Sequence, residues 1–141
     1  MIVVDTNVLS ELMREKPEER VLAWIDRQAG GSLFTTAVTE AEIRYGLALL
    51  PSGRRRSLLM QAADAAFGEL FQGRVLPFDR EASSFYATIA ATRRASGRPI
   101  SQFDCQIAAI CRAKGAKLAT RNMSDFIGCG IDLVDPWTHS G

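Results

Sequence analysis

The sequence has very little of what marks disulfide, zinc, dinucleotide or membrane proteins. Its 141 residues include one histidine and three cysteines, which form no C-x-x-C pair. Their odd number argues against a disulfide framework and fits a reducing cytoplasm. No G-x-S-x-G, P-loop or glycine-rich dinucleotide motif is present, and no run approaches the ~18 apolar residues of a membrane span. With no visible signal peptide, we expect a cytoplasmic protein that does not contact a membrane.

Net charge is also almost absent, at +1 with 23% charged and 47% hydrophobic residues. No global basic field therefore indicates nucleic acid. Local basic groups exist at residues 54–56, three consecutive arginines, and at Arg93, Arg94 and Arg98. We interpret the triple arginine as a solvated loop rather than a phosphate-binding patch, and the second interpretation stays open.

What is present is an alternation of short apolar strands with helices, which predicts an α/β fold with a parallel sheet covered on both faces. The length favours a single domain over residues 1–136, followed by a short tail over 137–141. Periodicity predicts strands at 1–4, 32–36, 74–77, 117–120 and 131–134, and helices at 17–28, 38–50, 52–71, 79–96 and 102–114.

Four acids lie near predicted helix starts, at Asp5, Glu42, Asp104 and Asp125. Three of them follow predicted strands, so they leave the sheet at its carboxyl edge, where ligands of open parallel sheets bind. The helix of Asp104 follows another helix, so connectivity alone does not place that residue at this edge.

Helix capping is the structural alternative for these acids. The spacings Thr39-x-x-Glu42 and Ser101-x-x-Asp104 both match a capping box or its aspartate variant. Asp5 could be a simple N-cap, worth about 1 kcal/mol. Taken singly, each acid is explained at least as well by capping as by function.

Helical phase favours function for two of the acids. Glu42 and Asp104 each share a stripe with apolar residues, whereas Glu40 points about 160° away from that stripe. Two carboxylates on inward faces are unfavourable unless they are paired or bind a metal. The stripe partners are Val38, Tyr45 and Leu49 for Glu42, and Ile107, Ala108 and Cys111 for Asp104.

The predicted ligands are all oxygen atoms, which suit Mg²⁺ or Mn²⁺ rather than zinc. Such a site can activate water and neutralise the charge that grows on a phosphodiester. The single histidine, His139, follows Trp137 in a polar tail and is a poor candidate for a base. Cys111 is interpreted as a core residue rather than a nucleophile.

Four ordered segments resemble the motifs of PIN-domain ribonucleases, particularly bacterial toxins of the VapC type. The resemblance extends from residue 2 to about residue 136. Its one departure is Cys105, where a small residue such as alanine is expected. The segments are V-V-D-T-N-V-L-S-E-L at 3–12, A-E-I-R-Y-G at 41–46, G-R-P-I-S-Q-F-D-C-Q-I-A-A at 97–109 and L-A-T-R-N-M-S-D-F at 118–126.

The resemblance implies a three-layer fold, with a parallel sheet of four or five strands flanked by helices and the acids gathered at one end. Asp5 and Asp104 would be metal ligands, and Glu42 and Asp125 would bind directly or through water. Four further residues would orient the carboxylates or water; three of them also have a structural explanation, Asn7 as a turn residue, Thr120 as a strand residue and Asn122 as a helix cap. The four are Thr6, Asn7, Thr120 and Asn122.

The resemblance further implies a Mg²⁺-dependent endoribonuclease that is the toxin of a toxin–antitoxin pair. A cognate antitoxin would cover the acidic pocket, and homodimerisation would join two active sites. Apolar residues such as Leu47, Leu49 and Leu50 could form a partner surface or belong to the core.

Two alternatives remain at this point. One is a catalytically silent PIN-like module that only binds RNA or a partner. The other is a receiver-type phosphoacceptor, which expects paired acids after the first strand and a lysine after the last. Here Asp5 is alone, and Asp135-Pro136 follows the final predicted strand, so we rank the receiver last.

Overall fold

The computed structural model describes residues 1–138, which contain five strands, six α-helices, a π-helical turn at Ala66–Leu70 and a 3₁₀ turn at Met123–Phe126. None of the helices in this part of the chain is long and apolar enough to cross a membrane. The strands are β1 (Ile2–Val4), β2 (Leu33–Thr36), β3 (Val75–Leu76), β4 (Lys117–Ala119) and β5 (Leu133–Val134). The helices are α1 (Thr6–Leu12), α2 (Glu19–Arg27), α3 (Ala37–Ala48), α4 (Arg54–Ala65), α5 (Arg80–Ala95) and α6 (Gln102–Lys114).

The five strands form one parallel sheet in the order β3-β2-β1-β4-β5. Strand β1 lies at the centre, where Val3 pairs in register with Phe34 of β2 and Leu118 of β4. Central strands of such a sheet are buried on both faces, and Val3 and Val4 are fully buried. The predicted parallel sheet is confirmed, with five strands.

Two apolar clusters cover the two faces of the sheet. Val3 belongs to the cluster formed with α5 and α6, and Val4 belongs to the cluster formed with α1, α2, α3 and α4. Successive strand residues point to opposite faces, so one short strand contributes to both clusters. The result is the predicted three-layer arrangement, with the sheet in the middle.

The apolar stripe predicted for α3 is partly wrong. Tyr45 and Leu49 are 68% and 67% exposed, whereas Ile43 and Leu47 are buried in the cluster shared with α1, α2 and α4. Helix α3 packs along α1 and α4, so its buried face is the one that carries Ile43 and Leu47. Glu42 therefore does not lie on a core-facing stripe.

The three consecutive arginines do not form a loop, because α4 begins at Arg54. Arg54 and Arg55 are exposed, as expected of a solvated segment. The helix predicted over 52–71 is thus confirmed for these residues, and the loop interpretation is wrong.

Candidate active site

Three of the four predicted acids line a single pocket beyond the carboxyl ends of β1 and β4. Asp5, Glu42 and Asp104 share this pocket, which has a volume of about 510 Å³. Asp125 is exposed and does not belong to its lining. The remaining lining residues are Thr6, Asn7, Ser10, Glu11, Arg14, Arg121, Asn122 and Trp137.

Asp5 lies at the junction of β1 and α1, is only 4% exposed, and caps α1. Its Oδ1 accepts a hydrogen bond from the backbone N–H of Thr6 at 2.7 Å. Its Oδ2 accepts from the Thr120 hydroxyl at 2.9 Å and from the Asn7 amide at 3.2 Å. The same carboxylate therefore caps α1 and lines the pocket, and its orientation is fixed by donors at the start of α1 and just after β4.

Glu42 reaches the pocket through Thr6. The Thr6 hydroxyl donates to Glu42 Oε1 at 2.6 Å, and Thr39 Oγ1 lies 3.2 Å from the Thr6 hydroxyl oxygen. The predicted capping box between Thr39 and Glu42 does not form. Instead α3 begins one turn earlier, where Thr36 Oγ1 accepts from the Thr39 N–H at 3.0 Å. Glu42 is thus free of a capping role.

Asp104 lies in the first turn of α6, which Ser101 caps by accepting the Asp104 backbone N–H at 3.2 Å. The predicted cap is thus made by the serine, and the Asp104 carboxyl is half-buried in the pocket wall. The stripe predicted below it is confirmed, because Ile107, Ala108 and Cys111 are fully buried. Helix α6 packs on α3 and β4, and this contact brings its start to the pocket that connectivity alone did not reach.

The other predicted supporting residues form a short network behind Asp5. Asn7 donates to Thr120 Oγ1 at 3.3 Å and accepts the backbone N–H of Arg121 at 3.1 Å. Thr120 Oγ1 also accepts the backbone N–H of Asn122 at 3.1 Å. Asn122 lines the pocket, and in this network it takes part through its backbone; its side chain forms no cap.

The pocket concentrates negative charge. Burial raises the pKa of Asp5 to about 6, and the charges of Asp104 and Glu42 add to that rise against the hydrogen bonds from Thr6 and Thr120. Burial also raises the pKa of Asp104, and the Asp125 carboxylate raises it further. Within residues 1–138, none of these acids forms an ion pair.

A divalent cation fits this donor set. The groups are oxygen atoms, they repel one another, and no lysine or arginine among the described residues forms an ion pair with them. Across residues 1–138, however, no three Asp, Glu, His or Cys side chains are gathered closely enough to enclose an ion. Mg²⁺ suits such an open arrangement, because it usually keeps several waters and takes one or two protein carboxylates.

The raised pKa of Asp5 predicts that the metal-free protein loses stability as pH rises. The folded state binds the Asp5 proton more tightly than the unfolded state. The loss of folding free energy caused by ionising Asp5 is therefore absent below its ordinary pKa and complete above a pH of about 6. A shift of this size corresponds to about 3 kcal/mol, and Asp104 contributes in the same direction. Urea unfolding with a chelator should give a larger free energy near ~pH 4.5 than near ~pH 7.5. Asp5→Asn should flatten this dependence, and an unaltered slope in that variant would contradict the assignment.

Glu11 is a further acid in the pocket, and sequence reasoning passed over it. It is 6% exposed, forms an ion pair with Arg14 at 3.1 Å and accepts the Glu18 backbone N–H at 3.0 Å. Its charge is therefore already compensated. Glu11 shapes the pocket wall without adding to the unpaired negative charge.

Arg93 is buried beneath the site, although the sequence suggested only a local basic group. Its Nη1 donates to the carbonyl oxygens of Asp125 at 2.7 Å and Ile127 at 3.1 Å, and its Nε donates to the Arg98 carbonyl at 2.7 Å. Helical spacing could have revealed it, because Arg93 shares the buried stripe of α5 with Ala82 and Ile89. Arg93 holds the backbone turn that carries Asp125, and its charge lowers the pKa of Asp104.

Fold and pocket together define an α/β domain with an acidic site at the carboxyl edge of a parallel sheet. Residues 2–126 match the PIN domain, and the chain belongs to that family. It is 44% identical to the VapC ribonuclease Y4jK of Sinorhizobium fredii, over 97% of this chain and 98% of that one. It is 36% identical to toxin FitB of Neisseria gonorrhoeae, over 97% and 99%. The crystal structure of FitAcB from Neisseria gonorrhoeae matches with a TM-score of 0.91 at 36% identity, over 99% and 100%.

These relatives confirm the resemblance to VapC-type toxins that the four sequence segments indicated. They also agree with the five-stranded parallel sheet of this chain. The receiver-type alternative is wrong, because the chain belongs to the PIN-domain family. His139 lies outside the residues that the structure describes.

Proposed function

We propose that this PIN-domain protein is a cytoplasmic, Mg²⁺-dependent endoribonuclease and the toxin of a type II toxin–antitoxin pair. The coarser class, a nuclease toxin, follows from the family and from the VapC and FitB relatives. Beyond that class, we propose the Mg²⁺ requirement, the RNA substrate and the roles of the individual residues. The domain would span residues 1–136.

The observation that carries the proposal is the uncompensated negative charge of the pocket. Asp5, Glu42 and Asp104 line it together, and burial and mutual repulsion raise the pKa of Asp5 to about 6. A buried carboxylate without a cationic partner is unfavourable unless it binds a cation. Asp5 and Asp104 are the proposed ligands of Mg²⁺ or Mn²⁺, with Glu42 and Asp125 binding directly or through water.

The protein's own contribution is to hold these oxygens in place before substrate arrives. Three donors fix the Asp5 carboxylate, and the Thr6 hydroxyl fixes Glu42. Substituting a group that orients a metal-binding carboxylate typically lowers metal affinity or activity by about 10- to 100-fold. A bound divalent cation would supply an activated water and neutralise the charge that develops on the cleaved phosphodiester.

Chelation tests the cation requirement. RNA cleavage by the purified protein should stop in EDTA and return with added Mg²⁺ or Mn²⁺. In parallel, Mn²⁺ should raise the melting temperature of the RNA-free protein, because a ligand that binds only the folded state stabilises it. Cleavage that persists in EDTA, together with a melting temperature that Mn²⁺ leaves unchanged, would reject the proposal.

The second candidate is a catalytically silent module that binds RNA or a partner. It is favoured by one observation, the lack of a preformed three-ligand metal cage within residues 1–138. The two functions differ in the same titration. RNA binding without any cation-dependent cleavage would support the silent module, whereas cleavage restored by Mg²⁺ would exclude it.

An antitoxin is the proposed protein partner. A groove of about 1080 Å³ lies between α1, α3 and α4 and joins the acidic pocket, with which it shares Thr6 and Glu42. Its floor includes Ile43, Leu47 and Leu59, which are buried or half-buried, so an apolar partner segment could pack there beside the active site.

Expression of the protein alone should arrest growth. Co-expression of a short neighbouring reading frame with a DNA-binding N-terminus and a basic tail should relieve the arrest.

Homodimerisation is also proposed. The exposed Tyr45 on α3 and Leu49 at its C-terminal cap offer an apolar surface for a second copy, while Leu47 belongs to the core and Leu50 is half-buried. Light scattering of the purified protein distinguishes a dimer from a monomer.

A further inference from the structure

Two arginines line the acidic pocket, and only one of them is neutralised by a carboxylate. Arg14 forms an ion pair with Glu11 at 3.1 Å. Arg121 forms no ion pair with any acid in the described residues 1–138. Its guanidinium carbon instead lies 5.0 Å from the ring centroid of Trp137, within the range of a cation–π contact. The pocket therefore has one uncompensated cation at its rim.

The backbone of Arg121 is fixed relative to the acids. Arg121 directly follows Thr120, whose hydroxyl donates to Asp5, and its own N–H donates to Asn7 Oδ1 at 3.1 Å. Asn7 in turn donates to Asp5 at 3.2 Å. The start of the Arg121 side chain is thus held by the same network that orients the proposed metal ligand.

Trp137 gives the guanidinium a firm support. Its backbone N–H donates to Asp135 Oδ1 at 2.9 Å, and its carbonyl accepts from Arg20 at 3.4 Å. The ring packs against the core cluster that contains Val4 and also lines the pocket. A cation–π contact with a fixed aromatic ring restrains the guanidinium, which reduces the conformational entropy lost on binding.

We propose that Arg121, held by its cation–π contact with Trp137, binds a nucleotide of the RNA next to the cleaved phosphate. The free face of the guanidinium stacks on a nucleobase, and its N–H edge donates to a phosphate oxygen, two contacts that arginine commonly makes with single-stranded RNA. The RNA phosphate backbone is repelled by the three carboxylates of the pocket, and the cation of Arg121 at the pocket rim offsets part of that repulsion. The inference rests on the proposed ribonuclease function and adds to it a substrate-positioning residue.

Binding of a short, fluorescein-labelled single-stranded RNA of mixed sequence tests this role. Fluorescence anisotropy would be measured over a range of salt concentrations with Ca²⁺ in place of Mg²⁺, because Ca²⁺ also takes oxygen ligands but in a looser geometry, and gel analysis after each titration establishes that the probe is intact. The variants are Arg121→Lys, which keeps the charge but loses the planar group, Arg121→Ala, which loses both, and Trp137→Leu, which removes the support. Arg27→Ala is the control, since Arg27 is exposed and does not line the pocket. Unfolding curves of every variant establish that it is folded.

Arg121→Lys should weaken binding by about fivefold or more with an unchanged salt dependence, because stacking is lost and charge is kept. Arg121→Ala should weaken RNA binding by more than about tenfold. It should also reduce the slope of the logarithm of the binding constant against the logarithm of salt concentration by about one. Trp137→Leu should resemble Arg121→Lys, and Arg27→Ala should resemble the wild type.

Failure of this inference is distinguishable from failure of the proposed function. If the wild type cleaves RNA and Arg121→Lys and Arg121→Ala match it in affinity and in KM, Arg121 has no substrate role. If Arg121→Ala binds weakly but Arg121→Lys binds like the wild type, a point charge suffices and the stacking role is wrong. A wild type that neither binds nor cleaves RNA under any metal condition overturns the ribonuclease proposal itself.

Discussion

Asp104→Asn is expected to lower the rate of RNA cleavage by about three orders of magnitude, since a cation's contribution to such reactions is several kcal/mol. The amide is nearly isosteric with the carboxylate but carries no charge and is a weaker ligand. Helix α6 should remain intact, because its cap uses the Asp104 backbone N–H rather than the side chain. Growth arrest on expression should disappear with the activity.

Asp132→Asn is the matched control. Asp132 is exposed and precedes β5, so it lies at the amino end of a parallel strand, opposite the edge that carries the pocket. This variant should cleave at the wild-type rate. Asp5→Asn should be as inactive as Asp104→Asn; full activity in both pocket variants would refute the assignment of these acids.

Arg93→Ala is expected to lower the free energy of unfolding by about 3 kcal/mol. The substitution removes the donor of three backbone carbonyls, those of Arg98, Asp125 and Ile127, in a place where water is largely excluded. Thermal unfolding should shift down by about 10 °C for a chain of this size. Cleavage should also weaken below the unfolding temperature, because the turn that carries Asp125 loses its anchor.

Arg94→Ala provides the comparison, because Arg94 is the neighbour of Arg93 in α5 and is exposed. It should change the free energy of unfolding by no more than about 0.5 kcal/mol. Equal stability of Arg93→Ala and Arg94→Ala in urea titrations would show that the buried guanidinium does not hold the Asp125 turn.

The part of the site built at strand ends was predictable from the sequence. Asp5 and Thr120 follow apolar strands, and parallel strands end at one edge, so their proximity follows from topology. Asp104 required more: its helical phase was predicted correctly, but its approach to the pocket depends on how α6 packs against α3 and β4. That information lies in tertiary contacts and was supplied by the resemblance to a known family.

Glu42 shows where reasoning from periodicity fails. Its predicted stripe included Tyr45 and Leu49, both of which are exposed. The pattern of apolar residues on α3 could not tell which apolar side chains face the core, since several faces of that helix carry them. Glu42 reaches the pocket because the Thr6 hydroxyl at the start of α1 binds it.

Trp137 had no local signal at all. It follows the last strand in what was predicted to be a tail, yet it packs on the core and lines the pocket. Its position depends on hydrogen bonds to Asp135 and Arg20, and the contact with Arg20 joins residues that are far apart in the chain. A contact of that kind is set by the completed fold rather than by sequence spacing.

A crystal of the protein grown with Mn²⁺, with an anomalous difference map recorded at the manganese edge, tests most directly whether the acidic pocket holds a divalent cation. We predict a peak within ligand distance of Asp5 and Asp104 that is absent from crystals of Asp104→Asn. An empty pocket in the wild type, at a Mn²⁺ concentration that supports full RNA cleavage, would contradict the central claim.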